Sequence, residues 1–191
     1  DQADGRRRGG GQRMTQARRF QHVAVVMGGR SEEREVSLST GRACAAALAE
    51  NYRVTAFDFT GDVPALADVF LGGDAPEAVF NALHGRYGED GTVQGLFDLL
   101  GIPYSHSGVQ ASALAIDKAA SRRLFTQTGL RVPPGRTVPI ALAEKAFKPP
   151  FVVKPVAEGS SVGVHIVREN DNRGVLNSWS FGDEVLVEQY I

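Results

Sequence analysis

The chain is 191 residues long, 42% hydrophobic and 23% charged, with a formal net charge of -1. It can bury a core in one large domain or two small ones, and it lacks the overall basicity of a nucleic-acid binder. Its single cysteine, Cys44, excludes an internal disulfide or a cysteine-based zinc site and suits a reducing compartment. No apolar run reaches membrane-spanning length and no signal-peptide core is visible. The expectation is a cytoplasmic protein with neither a membrane nor a nucleic acid as partner.

Residues 1–20 place Arg6, Arg7, Arg8, Arg13, Arg18 and Arg19 among glycines. They read as a disordered basic extension or tag, with Met14 as a candidate natural start. A nucleic-acid arm is the alternative, but it has no aromatic platform. His22 to Met27 is a continuous apolar run ending in Gly28-Gly29, the pattern of a buried parallel strand feeding a tight turn. An alanine-rich helix follows from Val36 to Leu48. Between them Glu32, Glu33 and Glu35 put carboxylates where a dinucleotide turn would need neutral amides. An acidic loop at a strand's carboxyl end suits an ammonium group, whereas a helix-dipole role is the blander reading for Glu32 and Glu35.

Arg53 to Phe59 predicts a second strand, and Asp62-Val63-Pro64 starts a short helix. Ala78 to Leu83 predicts a third strand, emptying into the glycine-rich loop His84 to Gly91. Thr92 to Leu100 is an amphipathic helix that Asp90 caps, with Glu89 beside it at the helix start. Ile102 to Tyr104 reads as a short strand, Val109 to Ile116 and Lys118 to Phe125 as helical, with Gly129 as a stop. Arg131 to Gly135 reads as a linker. Asn172 to Gly182 is a weak helix and turn, and Glu184 to Glu188 a last strand.

Phe151-Val152-Val153 delivers Lys154 to a strand end, Glu158 to Gly163 form a Gly/Ser loop, and Val164 to Val167 return beside the first strand. Such a loop can fold over a phosphate chain while the lysine supplies point charge, although the lysine precedes the glycines and a P-loop is excluded. A hairpin with a flexible tip is the alternative.

Four stretches, Gly28 to Ser37, Ala82 to Gly91, Ser107 to Lys118 and Val153 to Gly163, together resemble the D-alanine:D-alanine ligases of the ATP-grasp superfamily. The resemblance runs from Val23 to Ile191. It implies an α/β fold: a parallel, Rossmann-like pre-ATP-grasp substrate domain over residues 21–113, then the central α+β subdomain of an ATP-grasp fold over residues 114–191. That subdomain would stop at the adenine hinge, with the C-terminal lobe missing. The implied activity is the ATP-dependent joining of two D-alanines through an acyl phosphate, for peptidoglycan.

By resemblance, Glu33 holds the first D-alanine's ammonium and Ser160 is linked to it. His84 lies near the substrate, Lys118 and Lys154 meet ATP phosphates, and Glu158, Ser160 and Ser161 belong to the loop over them. Glu188, Gln189, Tyr190 and Ile191 form the adenine hinge. The magnesium (or manganese) ligands are expected beyond Ile191, so these residues alone are expected to be inactive. A homodimer through the N-terminal domain is also implied. Two other readings compete: a non-catalytic module that binds a nucleotide or metabolite, and an ATP-grasp ligase with another acyl acceptor.

Overall fold

A computed structural model describes residues 20–171 and 179–191. The basic extension up to residue 19, and residues 172–178 of the expected weak helix, lie outside the described residues. Among the described residues no helix is long and apolar enough to cross a membrane.

Strand β1 (His22–Gly28) is buried along its whole length. It lies between β2 (Arg53–Phe59) and β3 (Ala78–Asn81), parallel to both. Two helices make the crossovers: α1 (Arg34–Ala49), two residues longer at its start than expected, and α2 (Val63–Leu71), capped by Asp62. One sheet face packs Phe59, Leu66, Phe70, Val79, Val93 and Phe97 into a core. The other packs Val25, Met27 and Ala82 against Leu38 of α1. Gly41 lets α1 lie directly on Met27, since a Cβ there would collide with that side chain.

The third strand stops two residues earlier than its apolar run suggests. The Asn81 side chain explains this: its Oδ1 accepts from the Leu83 amide at 3.1 Å, replacing a strand partner and turning the chain into the glycine-rich loop. The strand expected at residues 102–104 is a single bridge, Tyr104 to Val79. Pro103 can only accept there, from the Val79 amide at 2.8 Å. Helix α3 (Thr92–Leu100) has Gly91, not Asp90, at its N-cap. Asp90 acts one position earlier, accepting from Thr92 N at 3.0 Å and from Tyr87 N at 2.9 Å.

Helices α4 (Val109–Ile116) and α5 (Lys118–Gln127) meet at Asp117, whose carboxylate caps α5 through Ala120 N at 2.9 Å. The expected division between residues 113 and 114 falls inside α4. Beyond α5 comes a second, antiparallel sheet in the order β4-β7-β5-β6, with β4 Gly135–Pro139, β5 Phe151–Pro155, β6 His165–Val167 and β7 Glu184–Gln189. The hairpin read from sequence is β5 and β6. Strand β4, and the 3-10 turn at Ile140–Lys145 after it, went unpredicted. Gly135, read as linker, is paired with Glu188. The Pro-Pro-Gly punctuation hid a strand whose polar residues give no alternating signal.

Ser37 is fully buried and ties the parallel sheet to α1. Its hydroxyl donates to Ala82 O at 2.7 Å and accepts from Gly28 N at 2.8 Å. Ser37→Ala leaves both backbone groups unpaired, and should lower unfolding stability by about 2 kcal/mol in a urea titration of the chain.

Candidate functional site

Three strand-end loops of the two sheets converge on one cleft. At the end of β1, Gly28 and Gly29 take φ values of +91° and +87°, backbone that glycine adopts freely. A Cβ on Gly28 would also strike Asp58. That carboxylate is held by two hydrogen bonds from Arg34, at 2.8 and 2.7 Å, and the same guanidinium reaches Gly29 O at 3.2 Å. Arg34 therefore shapes the turn. Ser31 ties it to the loop after β3, donating to His84 O at 2.8 Å and accepting from Glu33 N at 3.2 Å.

Glu33 occupies the N-cap of α1, yet its side chain makes no cap bond. Its carboxylate points across the cleft: Oε2 lies 3.2 Å from where Gly85 would carry a Cβ and 3.1 Å from the same position on Gly159. No cation pairs with it among the described residues. Glu89, expected to serve a helix start, instead turns toward the same place. Its Oε2 accepts from Gly85 N at 3.0 Å and lies 3.6 Å from the Gly159 Cβ position. Its Oε1 lies 3.7 Å from His84 Nδ1, and His84 Nε2 is 3.4 Å from Thr40 Oγ1. Two acids thus face the central Gly/Ser loop, with an imidazole beside one of them.

The other half of the cleft is cationic. Lys154, near the end of β5, and Arg122 of α5 both clasp the buried carboxylate of Glu188 on β7. Arg122 also donates to Pro133 O at 2.7 Å. Lys118, at the start of α5, donates its ammonium to the Glu158 carbonyl, and its backbone N–H donates to Val156 O at 2.9 Å. Burial, and secondly the charge of Lys154, pushes the Lys118 ammonium below the usual lysine range. Lys118, Lys154, Arg122 and Glu188 line a cavity of about 440 Å³ with Ala115 and Leu186.

In the loop between β5 and β6, Ser160 and Ser161 hold φ values of +50° and +60°, a left-handed conformation that costs non-glycine residues energy and marks functional loops. Gly159 O and Ser161 O accept from Val162 N and Val164 N, at 3.0 and 3.2 Å. The geometry therefore sets Glu33 against the loop of Glu158, Ser160 and Ser161 at Gly159, leaves His84 beside Glu89, and brings Lys118, Lys154 and Glu188 together around one cavity. In the segment expected to form the hinge, Gln189 N donates to Pro134 O at 2.8 Å, while Tyr190 and Ile191 are exposed. The side chain of Glu188 is engaged by cations, and its backbone lies in the sheet between Gly135 and Val152.

Sequence reasoning missed Glu89 and Arg122. The Lys118–Arg122 spacing, four residues on one helix face, was the available signal for the second. The first had none, because it depends on the fold of the loop. Lysines and strained backbone around an open cavity suit a nucleotide's phosphates. Among the described residues no group of three or more His, Cys, Asp or Glu could hold a metal ion, so no metal-dependent step is assigned to them.

Two family models match the chain: D-ala D-ala ligase N-terminus over residues 72–107 and D-ala D-ala ligase C-terminus over residues 136–191. The D-alanine--D-alanine ligase of Granulibacter bethesdensis is 53% identical over 177 residues, covering 90% of this chain and 57% of that protein. The chain belongs to the D-alanine--D-alanine ligase family. A relative of the same name from Acidiphilium cryptum is 50% identical, over 90% of this chain and 58% of its own length. The chain thus spans less than three fifths of the length of these relatives.

The crystal structure of a D-alanine--D-alanine ligase from Bacillus anthracis superposes with a TM-score of 0.73 at 33% identity, covering 90% of this chain and 58% of that one. The D-alanyl-alanine synthetase A of Vibrio cholerae, at 24% identity and a TM-score of 0.74, covering 92% of this chain and 60% of that one, shares the fold. Both agree with a parallel α/β unit followed by part of an ATP-grasp fold.

Among the described residues Glu188 is the carboxylate that pairs with both Lys154 and Arg122. Glu188→Gln leaves two part-buried cations without their anion, and chemical denaturation should show a loss of about 3 kcal/mol. A loss below about 0.5 kcal/mol, the level of an exposed pair, would remove Glu188 from the core of the site.

Proposed function

We propose that the protein to which these residues belong joins two D-alanines at the expense of ATP, and that this chain supplies the first amino acid's ammonium site and the phosphate-binding lysines. The observation that carries this reading is the Glu33 carboxylate, without a cation among the described residues, abutting Gly159 at the mouth of a lysine-lined loop. An ammonium and a phosphate chain bound to these two halves meet at the Gly/Ser loop. In this reading residues 21–113 act as the substrate domain and residues 114–191 as the nucleotide-binding subdomain. A divalent cation, expected with the nucleotide in such ligases, would take ligands outside the described residues.

In the reaction, a carboxylate oxygen of the first D-alanine attacks the γ-phosphorus of ATP, and ADP leaves. The neutral amine of the second D-alanine attacks the acyl carbon. Phosphate departs with the carboxylate oxygen, and the nitrogen loses its proton. Phosphoryl transfer needs chiefly alignment and neutralised charge. Glu33 fixes the first amino acid through its ammonium, with Glu89 and His84 beside it. Lys118 and Lys154 offset the charge of the phosphates, at a few kcal/mol each at an effective dielectric of about 20. Ser160 and Ser161 present the loop over the transferring group. Glu188, Gln189, Tyr190 and Ile191 border the adenine.

Glu33→Gln, made in a protein that carries this chain with the remainder its relatives have, tests the assignment. Losing a charge-assisted bond should raise the D-alanine KM about ten- to a hundredfold and leave the ATP KM within twofold. Equal damage to both substrates would refute the ammonium role. D-lactate or D-serine replacing D-alanine as acceptor in a phosphate-release assay would favour the other ATP-grasp reading.

Nucleotide affinity should also depend on pH. Lys118 binds phosphate only when charged, and its lowered pKa means that it loses the proton before an exposed lysine does. Affinity for an ATP analogue should therefore fall as pH rises through the window just below the usual lysine range. Lys118→Arg, which stays charged, should remove that fall.

A further inference from the structure

The loop His84 to Gly91 carries the two groups, His84 and Glu89, that join Glu33 in the cleft, and it holds an unfavourable backbone to do so. Tyr87, a non-glycine residue, has a φ of +69°. Such a conformation persists only where surrounding contacts over-determine it. The contacts here centre on Gly88. A Cβ on that residue would collide with Leu83, so the loop is packed tightly against the strand end. Its carbonyl accepts from two side-chain amides at once, Asn81 Nδ2 at 2.8 Å and Gln94 Nε2 at 2.7 Å.

Both amides are deeply buried, Asn81 at 3% and Gln94 at 0% exposure. Their orientations follow from their partners. A carbonyl cannot donate, so each must present its NH2 to Gly88 O, and Asn81 Oδ1 is taken by Leu83 N. The same two NH2 groups face His106 Nδ1, at 3.1 and 3.4 Å. An imidazole nitrogen met by two donors must be an acceptor, so His106 carries its proton on Nε2. Gln94 Oε1 has no partner among the described residues. A buried amide that leaves its oxygen unsatisfied is retained at a cost, and what it supplies is a pair of donors aimed at Gly88 and His106. His106 lines a cavity of about 480 Å³ together with Glu89, Ser105, Ser107 and Ser112, in which Glu89 is the charged side chain.

We infer that Asn81, Gln94 and His106 form a clamp on the Gly88 carbonyl, and that they are positioning residues for the amino-acid substrate. The inference rests on the ligase reading above. Through Gly88 the clamp holds Glu89 and His84 where an ammonium bound to Glu33 meets them. His106 acts as the acceptor that keeps both amides turned toward Gly88.

Two measurements test it. In the 191-residue chain, long-range nitrogen–proton NMR of the imidazoles, with His106→Asn to assign the signal, should show Nδ1 unprotonated and Nε2 protonated. A proton on Nδ1 would overturn the clamp whatever the enzyme does. In a protein carrying this chain with the remainder its relatives have, His106→Phe removes the acceptor. It should raise the D-alanine KM about tenfold, with the ATP KM within twofold. His106→Asn, which can present Oδ1 where Nδ1 stands, should restore most of that affinity, and thermal melts of the two variants should agree within a few degrees. Equal losses in both variants, or a matching rise in the ATP KM, would reduce the three residues to a structural role. A wild-type enzyme without D-alanine-dependent turnover would overturn the ligase reading, and the substrate-positioning role with it. The tautomer measurement would still decide the clamp.

Discussion

A methyl group at position 159 would sit 3.1 Å from a Glu33 oxygen. That close approach of two distant parts of the chain is the constraint on which the cleft depends. It favours glycine on the loop side, where a side chain would press on that oxygen, and uses a tight double-glycine turn on the strand side. It also leaves the Glu33 side chain, although placed at a helix start, without a cap bond to that helix. A ligand bearing an ammonium group would supply the cation that Glu33 lacks among the described residues. The parallel sheet makes the arrangement possible, because β1, β2 and β3 all release their carboxyl ends on one edge, where open α/β sheets place ligands.

The cationic half is built by a different device. Lys154 and Arg122 come from separate elements and share one buried carboxylate, Glu188. The pair of ion contacts fixes both side chains before any anion arrives, so little side-chain entropy remains to be lost on binding. Lys118 completes the set by binding the Glu158 carbonyl, which tethers the start of the Gly/Ser loop to α5. Three cations against one buried carboxylate leave an excess of positive charge for phosphate oxygens. The strained Ser160 and Ser161 stand between this charge and the acids of the first sheet.

Much of this was legible from local pattern. The buried run from His22 to Met27, the glycine turns and the hairpin around the Gly/Ser loop follow from periodicity and turn chemistry, which act over a few residues. Lys154 was legible because a strand end fixes where its side chain is delivered. What was hidden depends on partners far apart in sequence. Glu188 looked like hinge backbone, and its burial between Arg122 and Lys154 follows from the register of β5 and β7. Glu89 looked like part of a helix start, and only the folded loop turns it toward Glu33. Asn81 looked like one more strand residue, whereas its side chain ends the strand. Strand β4 was missed because Pro133, Pro134 and Gly135 mark a break so strongly that the pairing of Gly135 with Glu188 leaves no local trace.

The central claim is that the acids of one sheet and the lysines of the other form a single site in which a bound amino acid's carboxylate meets a nucleotide's terminal phosphate. Oxygen-isotope transfer tests this most directly. D-alanine labelled with oxygen-18 in both carboxylate positions is supplied, with ATP and a divalent cation, to a protein carrying this chain and the remainder its relatives have. The inorganic phosphate released is then weighed by mass spectrometry. The account predicts one labelled oxygen in each phosphate, at a rate that falls with Glu33→Gln. Phosphate released without label would show that the phosphoryl group never reaches the carboxylate, and would contradict a shared site.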